Sequence, residues 1–148
     1  MEKLVAAHAA LRDLRRRLDT IPGVGAQTAT VLTAALLSRS FQRARQLAAF
    51  AGVIPQPRQS GTSVHPPARM SKQGSSYLRH ALYFPALAAI RTNPLVQSLV
   101  ASLRAQGRPP KQIIVAVMRK LLHQAFGLFR HGTVFEPHYQ SAPIGDRA

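Results

Sequence analysis

The chain has 148 residues, 46% of them hydrophobic, no cysteine, and a formal net charge of +15. That is one domain's worth of chain with enough apolar content to bury a core and to argue against wholesale disorder. Disulfides, thiolate catalysis and cysteine zinc sites are excluded, and a cytoplasmic location is the expectation. No apolar run approaches the roughly 18 residues of a membrane span. The opening segment MEKLVAAHAALRDLRRR lacks the order of charge, apolar run and cleavage site that marks a signal peptide.

Charge is the strongest signal. Twenty Lys and Arg face five carboxylates, Glu2, Asp13, Asp19, Glu136 and Asp146, all near the ends. From Thr20 to Phe135 there is no Asp or Glu, while fourteen Lys and Arg lie there. Ordinary solvated surfaces mix signs, so this imbalance calls for a polyanion. Sixteen of the twenty cations are Arg, the residue suited to bidentate phosphate contacts. Nucleic acid is the natural partner. An anionic membrane fits poorly, because no apolar helix face carries the aromatic anchors expected there.

In chain order, Glu2 to Leu18 reads as a helix, with Leu4, Ala7, Leu11, Leu14 and Leu18 on one face. Arg15, Arg16 and Arg17 crowd its last turn, where they either complement the helix dipole or meet phosphate. Thr20-Ile21-Pro22-Gly23-Val24-Gly25 then links it to a second apolar helix over Ala26 to Leu37. Residues 11–37 thus read as a helix-hairpin-helix. Gly23, Val24 and Gly25 place backbone amides at a helix N-terminus, a phosphate-binding arrangement. The same pattern also serves a turn that only packs.

A third helix is expected over Phe41 to Ala51, apolar at Phe41, Ala44, Leu47, Ala48 and Ala51 and closed by Gly52. Residues 53–74 read as a long basic loop: Pro55, Pro57, Pro66 and Pro67 interrupt it, and Ser60-Gly61 forms a polar turn. Arg58, Arg69, Lys72 and Arg79 line this stretch without a balancing carboxylate. Ser71 suits the N-cap of a fourth helix, Ser75 to Ile90, kinked near Pro85. Pro94 to Ala105 follows, with Leu95, Leu99 and Leu103 in register. Pro110 to Phe129 is the most apolar helix and the expected centre of the core, and Gly132 stops it. The fold class is all-α with about six helices. One domain covers residues 1–137, and 138–148 reads as a disordered tail.

The chemistry available is limited. The central segment offers no carboxylate for Mg²⁺, and the six histidines show no metal-ligand spacing. What remains is a serine hydroxyl attacking a phosphodiester among arginines that hold the transition-state charge. Ser60 is the candidate nucleophile, and His65 the nearest candidate base.

IPGVGAQTATVL, ARQLAAFAGVIPQPRQSG, MSKQGSSYLRHALYFPALAAIR and NPLVQSLVASLRAQGRPPKQIIVAVMRKLLHQAFGLFRHGTVFEP, in that order, resemble the C-terminal domain of insertion-sequence transposases of the IS-one-ten family, also called IS-one-sixteen/IS-nine-oh-two. The resemblance covers about Leu18 to Pro137. It implies a DNA recombinase with an N-terminal RuvC-like domain holding four carboxylates and Mg²⁺, and a helical C-terminal domain with a catalytic serine. It also implies a structured guide RNA. The family's SG motif falls on Ser60, its SK-x-G on Ser71, Lys72 and Gly74, and its paired LR on Leu78 and Arg79. This chain begins just before the helix-hairpin-helix and carries no RuvC-like segment, so it is expected to act as a domain or fragment. Such a chain would be inactive alone and would bring Ser60 to a composite site. Its partners would be DNA, a guide RNA, and further copies or full-length transposase. The alternative is a non-catalytic helix-hairpin-helix module in which Ser60 is a turn residue.

Overall fold

The computed structural model describes residues 1–56, 69–70 and 75–137. The described residues form seven helices: α1 (Glu2–Asp19), α2 (Ala26–Ser38), α3 (Ala44–Ala51), α4 (Ser76–Ala81), α5 (Tyr83–Thr92), α6 (Pro94–Ala105) and α7 (Pro110–His131). One two-residue antiparallel pair, β1 (Pro55–Gln56) with β2 (Arg69–Met70), joins Pro55 to Met70 and Gln56 to Arg69. The fold is all-α, as the periodicity predicts.

The longest helix, α7, packs against α1, α2, α3, α5 and α6. Its buried line runs Ile113, Val117, Met118, Leu121, Leu122, Ala125, Phe126 and Leu128, a wide apolar face that suits a central position. Gly132 ends it in the left-handed conformation. Around it, Leu18, Ile21, Leu32, Leu36, Leu47, Leu78 and Leu82 complete a continuous core.

Several expectations are corrected. In α1 only Leu14 and Leu18 are buried, while Leu4 is 65% and Leu11 39% exposed. The first half of that helix therefore has its apolar side uncovered within this chain. Helix α3 starts at Ala44 rather than Phe41, because Gln46 Oε1 accepts the amides of Gln42 and Arg43 at 2.6 and 3.2 Å and fixes the N-terminus there. The break expected near Pro85 falls at Leu82. Pro85 has no N–H to bond the Ala81 carbonyl and its ring crowds that carbonyl, so the ladder breaks one turn earlier and Pro85 settles into the first turn of α5, where its missing N–H costs nothing.

In α6 the buried residues are Val96 and Val100; Leu95, Leu99 and Leu103 flank them, half-buried. The cap of α4 is Ser75, not Ser71: its hydroxyl accepts the Leu78 amide at 3.2 Å. Ser71 itself, and the proposed tail 138–148, lie outside the described residues.

Candidate nucleic-acid interface

The turn between α1 and α2 has two unlike sides. Inward, Val24 is buried and its amide donates to the Ile21 carbonyl at 2.9 Å. Val24 thus serves the core and offers neither side chain nor amide to a ligand. Gly23 has φ +100°, and a Cβ there would lie 2.8 Å from the backbone nitrogen and Cβ of Ala89 on α5. Only glycine allows this approach. Outward, Gly25 caps α2 with φ −90° and ψ 179°, and Gly25, Ala26 and Gln27 are exposed. A Cβ on Gly25 would meet nothing within 4 Å. The first-turn amides of α2 therefore face open space at the positive end of the helix dipole, with no carboxylate in its first turn.

Asn93 fastens this turn from behind. It is fully buried and caps α6 by accepting the Val96 amide at 3.3 Å. Its Nδ2 donates to the Pro22 carbonyl at 3.2 Å and to Gln124 Oε1 at 3.0 Å. One side chain thus ties the α1–α2 turn, α6 and α7 together. The sequence marks Asn93-Pro94 only as punctuation, because its partners are 71 and 31 residues away.

The second cationic region surrounds the ends of the stretch that holds Ser60. The β1–β2 pair brings residues 55–56 and 69–70 together. The Ser75 amide donates to the Phe50 carbonyl at 2.6 Å, seating α4 on the end of α3. The Phe50 ring lies 5.7 Å from that of Phe41, and the Arg39 guanidinium sits over it at 4.8 Å. One turn into α4, Arg79 Nη1 is buried with no hydrogen-bond partner among the described residues. A buried guanidinium nitrogen left in this way costs about 1–3 kcal/mol, and an arriving anion would repay it. Of the sequence-predicted residues, Arg69 is placed by its backbone as the partner of Gln56. Ser60, Arg58, His65, Lys72 and Gly74 lie outside the described residues.

Other charges are already committed. Arg17 donates to Asp13 at 2.9 Å and to the Leu128 carbonyl at 2.9 Å, so it closes the C-terminus of α7. Of the two readings open for this cluster, the helix-end role holds for Arg17, although the helix it serves is α7. Arg16 reaches the same aspartate at 3.4 Å. His123 is exposed as a residue, yet partial burial of its ring, followed by the charges of Arg119 and Lys120, holds its pKa below the ordinary histidine value. It is neutral at pH 7 and adds nothing to the positive field there.

Comparison with known proteins fits this arrangement. The Transposase IS116/IS110/IS902 family matches residues 15–101, from the end of α1 into α6 and across the Ser60 stretch. The pilin gene-inverting protein of Moraxella bovis is 38% identical over 121 residues, covering 80% of this chain and 38% of that protein. The insertion element IS110 43.6 kDa protein of Streptomyces coelicolor is 32% identical over 120 residues, covering 80% of this chain and 29% of its own length. A putative transposase of Sinorhizobium fredii, y4rJ, is 33% identical over 132 residues, covering 85% of this chain and 33% of its own. The chain belongs to the IS116/IS110/IS902 transposase family. It spans between 29% and 38% of the length of these relatives. No helix among the described residues is long and apolar enough to cross a membrane.

Proposed function

We propose that this chain is the DNA-binding, serine-bearing part of a transposase. It grips the phosphate backbone and presents Ser60 to a composite site whose Mg²⁺-binding carboxylates belong to a RuvC-like domain. The observation that carries this reading is Arg79 Nη1, a buried cationic donor without a hydrogen-bond partner among the described residues, near the start of α4. Family membership and the carboxylate-free span from Thr20 to Phe135 support it. Arg39, held over Phe50 beside the start of α4, adds charge to the same neighbourhood.

In the proposed reaction Ser60 Oγ forms a bond to phosphorus, and the bond from phosphorus to one deoxyribose oxygen breaks. The serine proton passes to a base and the leaving oxygen takes one up. Attack by the hydroxyl of another strand reverses the exchange and frees the serine. A serine hydroxyl is a weak nucleophile at neutral pH, so guanidinium groups would hold the transition-state charge and bound Mg²⁺ would activate the phosphate. A guide RNA and further copies of the transposase are the partners that complete the proposed assembly.

DNA binding is the first test. Duplex affinity of the 148-residue chain should fall steeply with salt, by about a hundredfold or more between low and physiological ionic strength for several phosphate contacts. Arg79→Met keeps the aliphatic stem and removes the unpartnered donor. It should leave stability unchanged or raise it by about 1 kcal/mol, while weakening duplex binding and lowering the logarithmic salt slope by about one. A flat salt dependence would count against phosphate gripping, and an Arg79→Met variant with unaltered affinity would remove Arg79 from it.

A further inference from the structure

The outward face of α4 and α5 carries residues that neither the core nor the phosphate-gripping groups use. Tyr77, His80, Phe84, Ala88 and Arg91 follow one another at spacings of three and four and are all exposed. The opposite face, Leu78, Leu82, Ala86 and Ala89, is buried. Tyr77 is 72% and Phe84 76% exposed, an unusual display of two large rings by neighbouring helices. Tyr83, 43% exposed, meets Phe84 edge-on with ring centroids 5.5 Å apart and planes at 74°, which buttresses the Phe84 ring. His80 Nδ1 donates to the Ser76 carbonyl at 2.7 Å, which restrains its ring on the exposed side of α4.

We infer that the Tyr77–His80–Phe84 stripe is a stacking platform for unpaired bases of a DNA strand. Charge selects this occupant. Apolar surface alone would suit a protein partner equally well, but the exposed Arg91 ends the stripe and no carboxylate occurs between Thr20 and Phe135. Aromatic faces interleaved with cations hold single strands because the rings take bases of any identity while the cations take phosphates. Strand exchange supplies such bases, since a nicked and displaced strand loses its stacking neighbours. This inference rests on the DNA-binding role proposed above.

The test measures binding of the full chain to a labelled oligo-deoxythymidine and to a labelled duplex over a salt series. The variant Tyr77→Ala/Phe84→Ala alters exposed positions only, and circular dichroism with its melting temperature verifies the fold. Single-strand affinity should drop about ten- to a hundredfold for each ring removed. Duplex affinity should change less than about threefold, and the salt slope should stay constant because the phosphate contacts are untouched. Tyr77→Phe should retain the affinity. A folded double variant with undiminished single-strand binding overturns the platform while leaving duplex gripping intact. Equal losses on single strand and duplex overturn it too, as does a wild-type dimer that the variant dissociates. Tighter binding of oligo-uridine than of oligo-deoxythymidine, lost in the variant, would assign the stripe to RNA and overturn the DNA occupant. Absence of all DNA binding by the wild-type chain would instead defeat the underlying role.

Discussion

Asn93→Ala is expected to destabilise the fold by about 2–4 kcal/mol, although the residue is none of the proposed phosphate-contacting groups. The substitution removes the cap of α6, which alone costs about 1 kcal/mol. It also leaves the Pro22 carbonyl and Gln124 Oε1 without the Nδ2 donor that now serves both. Asn93 is fully buried, so water does not replace that donor without rearrangement. The melting temperature should fall by roughly 10 °C for a domain of this size. Asn93→Asp retains the capping oxygen but turns a buried carboxylate oxygen toward the Pro22 carbonyl, so it should be at least as destabilising as Ala at neutral pH. An Ala variant within about 0.5 kcal/mol of wild type, comparable to an ordinary surface substitution, would mean that the turn is held in place by packing alone.

Gly23→Ala should be similarly severe, at about 2–5 kcal/mol, whereas Gly25→Ala should cost no more than about 1 kcal/mol. Two effects combine at Gly23. Its φ of +100° disfavours any side chain, and the added carbon would lie 2.8–2.9 Å from backbone atoms of Ala89, which yield only if α5 shifts. Gly25 has an ordinary φ and open space where the methyl would go. A methyl there leaves the fold intact but adds bulk at the exposed start of α2. If the first-turn amides of α2 hold phosphate, Gly25→Ala should lower duplex affinity about tenfold at unchanged melting behaviour. Denaturation curves and binding isotherms for the two variants separate the roles. A Gly23→Ala protein as stable as wild type would contradict the close approach to α5, and unchanged affinity in Gly25→Ala would leave the turn a packing element.

The contrast between these glycines shows where sequence reading succeeds. Pro-Gly-x-Gly announces a tight turn, and apolar periodicity places α2, α6 and α7 to within a residue or two at most ends, because proline and glycine punctuate them. It does not reveal that Gly23 is needed for packing while Gly25 leaves the helix end open, since that depends on Ala89, 66 positions later. The Leu95, Leu99, Leu103 series fits a helical period, yet the core selects Val96 and Val100, because α5 and α7, which both pack on α6, set which side of it is covered. The two-residue β pair has no alternation long enough to read, and it forms only because distant residues meet. At the site, charge was legible from composition. The burial of Arg79 and the seating of Arg39 on Phe50 were not, since both are products of tertiary packing.

The central claim is that Ser60 becomes covalently joined to DNA only when the carboxylate domain is present. The direct measurement is peptide mass mapping of protein–DNA adducts after the chain is incubated with labelled DNA, Mg²⁺, a RuvC-like domain from a relative and the guide RNA. The expected adduct maps to Ser60. It should be lost in Ser60→Ala together with strand exchange, while duplex affinity changes less than about twofold. The 148 residues alone should give no adduct. Strand exchange at full rate by Ser60→Ala, or an adduct on another residue, would contradict the assignment of the nucleophile. Robust Mg²⁺-dependent recombination by the chain alone would contradict the composite site.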